Sequence, residues 1–171
     1  MPSLVCDTSV LQYLYQLELL HILPALANDV IIPPAVVDEL GAGIELGLSL
    51  PDVGNLAWIA VRQPAGATAL PLISDLGPGE AEVLMLVLER PGAVAVLDDA
   101  VARRVAESLD LPLTGTLGLL IDAKRAGLIT LLEPWLDRLH ALRFRLSAGT
   151  RVAVLHLAGE IPEMPDQPEA P

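Results

Sequence analysis

Short apolar runs alternate along this chain with stretches of helical periodicity. Leu4-Val5-Cys6 closes on Asp7, Val30-Ile31-Ile32 is stopped by Pro33-Pro34, and Val94-Ala95-Val96-Leu97 closes on Asp98-Asp99. Runs this short, apolar on both faces and bounded by breakers, predict strands buried in a parallel sheet. Trp58-Ile59-Ala60-Val61 and Leu111-Pro112-Leu113 predict two more. Residues 8–26 carry Leu at helical spacing and predict two helices, or one bent helix, capped by Thr8 or Ser9. Pro34 suits a first helical turn, and Val36, Val37, Leu40 and Ile44 then define a core face. Gly77-Pro78-Gly79-Glu80 opens a helix to about Glu89, ended by Pro91-Gly92. Further helices are predicted over residues 98–109, 117–126 and 134–142, with an amphipathic segment over 147–157. This β/α alternation implies an α/β fold, a three-layer sandwich with a central parallel sheet flanked by helices.

At 171 residues and 53% hydrophobic content the chain can bury a substantial core. The reading is one domain over residues 1–158. Residues 159–171 form an acidic, Pro-rich tail expected to be disordered. The Pro/Gly/Ala-rich stretch reaching Gly77 reads as a loop able to move over a site. No apolar stretch approaches the roughly 18 residues of a membrane span, and no basic segment precedes a leader-like apolar one, so the expectation is a soluble, cytoplasmic protein. Cys6 is the only cysteine, which excludes an internal disulfide and reads as a small buried residue of the first strand. His21, His140 and His156 lack metal-ligand spacing.

A net charge of −12 argues against broad nonspecific binding of nucleic acid. All ten basic residues lie from Arg62 onward, Arg103, Arg104, Lys124, Arg125, Arg143, Arg145 and Arg151 among them. A local basic lip beside an acidic centre is compatible with that distribution.

Ligands in open α/β sheets bind beyond the carboxyl ends of the strands, where the apolar runs deliver acids. Mg²⁺ prefers oxygen ligands and is commonly held by carboxylates beside a phosphate. Four acids are placed for this: Asp7, Glu39, Glu80 and Asp99. Taken alone, Asp7 reads first as a helix N-cap; Asp98 and Asp99 face the same ambiguity, and one of the two can cap while the other reaches the site. Glu39 lies at the edge of its helix's core face, while Asp38 points away to solvent. Glu80 and Glu82 point in nearly opposite directions, so only one reaches a common site; Glu80 follows the Gly-Pro-Gly turn directly and Glu82 is the alternate.

Taken in order, Asp7-Thr8-Ser9, the segment from Pro33-Pro34 to Asp38-Glu39-Leu40, Gly79-Glu80-Ala81-Glu82, Leu97-Asp98-Asp99 with Arg103 and Ala106, and Gly115-Thr116-Leu117-Gly118 with Ala123-Lys124 and Gly127-Leu128-Ile129 resemble the PIN-domain family. More closely they resemble the little-characterised PIN-like proteins related to VapC-type toxins. The resemblance implies a Rossmann-like sheet carrying a Mg²⁺- or Mn²⁺-dependent ribonuclease site. Asp7, Glu39, Glu80 and Asp99 would be the catalytic and metal-binding set, with Thr8 or Ser9 supporting the first carboxylate and Thr116 as a further supporting residue. Many relatives carry Thr or Ser followed by Asn where Leu97-Asp98 stand here, so the choice between Asp98 and Asp99 stays open. The implied chemistry is phosphodiester hydrolysis of RNA, in which bound cations activate a water and neutralise charge growing on the phosphate. The resemblance further implies a toxin of a toxin–antitoxin pair, a cognate antitoxin and a homodimer; the Leu-rich helices after Asp7 add modest support to the dimer.

The competing reading keeps the fold but gives the acids to helix capping and makes the chain a protein-binding or regulatory module. A receiver domain would carry its adjacent acid pair after the first strand rather than the fourth. Nucleotide-binding glycine motifs are missing, since Gly77-Pro78-Gly79 precedes a helix without the remaining pattern.

Overall fold

The computed structural model describes residues 1–66 and 75–161. Most of the Pro/Gly/Ala-rich stretch before Gly77, and the acidic tail from residue 162, lie outside them. The chain clusters into two compact units, Met1–Leu119 and Leu120–Pro171.

The first unit is built on five strands, β1 (Ser3–Cys6), β2 (Asp29–Ile32), β3 (Ile59–Val61), β4 (Ala93–Val96) and β5 (Leu113–Thr114). All pair in parallel, in the order β3-β2-β1-β4-β5. The expected parallel α/β architecture is therefore the one found. The fifth strand begins two residues later than Leu111-Pro112-Leu113 suggests and ends one later: Pro112 has no N–H to donate, although its carbonyl accepts from Ala95. Leu4, Val5, Cys6, Val30, Ile31, Ile32, Ala95 and Val96 are buried, as strands covered on both faces must be. Cys6 is fully buried, and burial pushes its thiol well above the ordinary range, which makes it inert packing.

Helices α1 (Thr8–Gln16), α2 (Ile22–Leu26), α3 (Pro34–Glu45), α4 (Pro78–Glu89) and α5 (Ala100–Ser108) link the strands. The segment after Asp7 is two helices, but neither Thr8 nor Ser9 caps the first. Asp7 does, accepting from the Ser9 amide. Helix α5 likewise starts at Ala100 rather than residue 98, because Asp99 is its cap. Val36 and Leu40 face the core as expected and Val37 is half-buried, but Ile44 is 42% exposed. At that level of α3 the core contact is made by Gly43, where an added Cβ would meet Leu50 Cδ1 at 2.3 Å. The chain folding back through Leu50 thus takes the position that helical spacing assigned to Ile44.

Helix α6 (Thr116–Arg125) begins in the first unit and continues into the second, which holds α7 (Glu133–Ala141) and α8 (Ala148–Leu157). Within the second unit Glu160 accepts from the Leu132 amide and Lys124 Nζ through Oε1, and from the Glu133 amide through Oε2 at 3.1 Å. The fold thus continues past residue 158. No helix among the described residues is long and apolar enough to cross a membrane.

Candidate metal centre

Two chain segments leave the sheet side by side where its winding reverses. Strand β1 neighbours β2 on one side and β4 on the other, so β1 and β4 flank the switch point at which α/β sheets open a crevice. Cys6 is in register with Val96, and the Asp7 amide donates to the Val96 carbonyl at 3.1 Å. The segments that carry Asp7 and the Asp98-Asp99 pair thereby leave the sheet side by side.

Asp7 is 4% exposed. Its Oδ2 accepts from the Ser9 hydroxyl at 3.0 Å and the Ser9 amide at 3.4 Å. Burial, with the charge of Glu80 adding to it, outweighs the Ser9 and Thr8 donors and pushes the pKa up to about 6. Of the two hydroxyls expected to support this acid, Ser9 does so. The Thr8 hydroxyl donates instead to Glu39 Oε2.

Glu39 is brought in from α3. Its Oε1 accepts from the Gly79 amide at 2.9 Å, at the opening of α4. Glu80, one residue on, folds back so that Oε2 accepts from the Gly77 amide at 2.6 Å. Its pKa is raised first by burial, against the Gly77 donor, and further by the charges of Asp99 and Glu39. Glu80 therefore lies within electrostatic reach of all three other acids of the set. Glu82 turns elsewhere and accepts from the Ala35 amide at 2.9 Å, at the start of α3.

The adjacent acids after β4 have different partners. Asp98 is engaged at both oxygens by Thr116, through the amide at 2.9 Å and the hydroxyl at 2.6 Å. Its pKa is raised by burial, against Thr116 and the nearby Arg103 charge, and its own charge adds to burial in raising Tyr13. Asp99 is exposed and caps α5 with Oδ1 alone, accepting from Val101 at 2.8 Å and Ala102 at 2.9 Å. It is Asp99 rather than Asp98 whose charge reaches Glu80.

Two supporting features carried no signal in spacing or periodicity. Arg103 Nη1 donates to the carbonyls of Leu97 at 2.9 Å and Thr114 at 3.2 Å, tying together the chain ends beyond β4 and β5. Gly115 leaves the room this needs, since a Cβ there would lie 2.7 Å from Asp98 Oδ1 and 3.0 Å from Arg103 Nη1. The glycine in the Gly-Thr pair was the available cue.

Oxygen donors, partial burial and mutual repulsion make this acid set chemically suited to a hard divalent cation. Among the described residues, no three His, Cys, Asp or Glu side chains converge closely enough to form a ready ligand group as they are placed. The donors named for Glu80 and Asp99 all fall on one oxygen of each carboxylate, Oε2 of Glu80 and Oδ1 of Asp99.

A protein-family model described as a PIN domain matches residues 3–160. No curated protein matches the chain significantly in sequence.

Proposed function

Since the chain belongs to the PIN-domain family, a nuclease-type fold, over residues 3–160, we propose that it is a Mg²⁺- or Mn²⁺-dependent endoribonuclease hydrolysing RNA phosphodiester bonds. The observation that carries this reading is the position of Glu80 beyond the carboxyl ends of β1 and β4, where its charge acts on Asp7 and it feels the charges of Asp99 and Glu39. In this reading these four hold the cation. When bound, the cation supplies polarisation of the phosphate and activation of a water.

The protein's own residues supply placement. Asp7 and Asp99 are oriented by the helix amides they cap, Ser9 steadies Asp7, and Thr8 with the Gly79 amide steadies Glu39. Thr116 fixes Asp98 at both of its oxygens. Glu82 serves the start of α3 rather than the site. We further read the chain as the toxin of a toxin–antitoxin pair, acting as a homodimer and restrained by a cognate antitoxin; this part rests on the resemblance to VapC-type proteins.

A second reading has its own observation. All four acids also accept from amides or a hydroxyl near helix starts, and no ready ligand group is formed among the described residues. In that reading the chain is a protein-binding module with capping acids. Cleavage of a mixed structured-RNA panel by purified protein with Mg²⁺ or Mn²⁺, beside Asp7→Asn, separates the two. Metal-dependent cleavage abolished by Asp7→Asn supports the nuclease. Cleavage that survives both chelation and the substitution, or no cleavage by folded wild type free of inhibitor, rejects it.

A further inference from the structure

Charge is divided unevenly along the chain. Met1–Leu119 carry four Lys or Arg against fifteen Asp or Glu, whereas residues 120–161 carry six against four. From residue 138 to 159 no acid occurs, in a chain whose net charge is −12. Several cations of this second unit are committed internally. Lys124 pairs with Glu160, Arg125 with Asp122, and Arg151 with Asp137 at 2.7 Å. Arg143 and Arg145 have no ion pair or side-chain hydrogen bond among the described residues.

Both lie in the connection between α7 and α8, where exposure alternates. Leu142, Phe144 and Leu146 are half-buried, while Arg143 and Arg145 are exposed. The apolar side chains anchor the segment and leave the two guanidinium groups on its outer side. Arg143 also adopts φ 63°, a left-handed conformation that Gly or Asn would take at lower cost. The turn does not account for an arginine there.

Resting on the nuclease reading above, we infer that Arg143 and Arg145 form a phosphate-contacting surface for the backbone of the RNA substrate. Guanidinium groups match phosphate oxygens in charge and fork geometry. Contacts of this kind position an RNA without reading its bases. A connection with no acid of its own also lessens the repulsion that an otherwise acidic protein offers a polyanion.

The test is binding of full-length protein to a labelled unstructured RNA, without divalent ions so that no cleavage intervenes, over a series of KCl concentrations. Each single-strand phosphate contact contributes about 0.7 to the slope of log affinity against log salt. Arg143→Ala/Arg145→Ala is expected to flatten the slope by about 1.4 and to weaken binding several-fold or more at low salt. Arg145→Ala alone, at a position of ordinary backbone geometry, should flatten it by about 0.7. Arg143→Lys/Arg145→Lys should keep the wild-type slope, since the charges remain. An unchanged slope in the Ala variants, or no RNA binding by wild type, overturns the inference. So does loss of poly-glutamate binding with RNA binding intact, which would assign the surface to an acidic protein. Arginine-dependent binding with no cleavage once Mg²⁺ and Mn²⁺ are supplied upholds this inference and overturns the nuclease reading; cleavage with arginine-independent binding does the reverse.

Discussion

Gly79 and Glu39 are fitted to each other at the opening of α4. The Gly79 amide donates to Glu39 Oε1 at 2.9 Å, and a Cβ on Gly79 would stand 2.8 Å from Oε2 and 2.9 Å from Oε1. With Thr8 on Oε2, the α3 glutamate is held from two sides at the positive end of a helix. The missing side chain is what makes that seat.

Gly79→Ala is therefore expected to displace Glu39. Replacing a helical Gly by Ala ordinarily stabilises by about 0.4–1 kcal/mol where the backbone permits it. Here the added Cβ meets the far end of a flexible side chain, so displacing it should offset that gain and leave stability within about 1 kcal/mol of wild type, while RNA cleavage falls by about 10–100-fold, as loss of a ligand's support does. Melting and cleavage measured on one preparation check this. A variant more stable than wild type and equally active would contradict it.

Asp7 makes the metal-free protein sensitive to pH. Burial first, then the Glu80 charge, raises its pKa from 3.8 to about 6. The folded state thus holds the proton more tightly than the unfolded chain. The stabilisation is fully present below 3.8 and is lost as pH rises through about 6. The loss is on the order of 3 kcal/mol. In chelator, melting is expected to fall from about pH 4 to about pH 6 and to level off above that. Asp7→Asn, which still caps a helix, should flatten that fall. If the cation binds at this site, Mg²⁺ should raise melting at the upper pH in wild type more than in the variant.

The adjacent acids Asp98 and Asp99 should separate by phenotype. Thr116 is fully buried with Asp98 as its partner, so Thr116→Val is expected to cost about 1–3 kcal/mol. Asp99→Asn keeps a capping oxygen and should change stability by only a few tenths of a kcal/mol, yet abolish most cleavage. Melting and kinetics of the two variants decide it; a destabilised Asp99→Asn with normal cleavage would exchange the roles assigned to the pair.

Glu160 closes the second unit. Its side chain is 10% exposed and accepts from Lys124 and two backbone amides at the start of α7. Truncation after residue 158 is expected to cost about 1.5–3 kcal/mol, the scale of hydrogen bonds to a charged group. Truncation after residue 161 is the control and should melt like the full chain if the remaining tail adds nothing. Equal melting of the two truncated forms would show that Glu160 does not hold the unit together.

Element order was readable because its determinants are local. Apolar runs too short for helices, Pro33-Pro34, Gly77-Pro78-Gly79 and Pro91-Gly92 each act within a few residues, and the structure places strands and helices near them. The four candidate acids were readable for the same reason, being strand-end or first-turn residues, apart from Glu39, which needed a helical angle. Ile44 was misplaced because that angle knows nothing of Leu50 returning over Gly43.

The sequence by itself thus determined the alternation of elements, the acidity at the carboxyl ends of the central strands and the family to which these features belong. Only the tertiary structure decided which donor each acid meets. Thr8 turns to Glu39 across 31 positions, Thr116 to Asp98 across 18, and Ala35 to Glu82 across 47. Those pairings follow from α1 packing on α3, from β4 pairing with β5 and from α3 packing on α4. Such long-range register has no local signature, because it is set by which buried faces pack together rather than by the residues flanking each carboxylate.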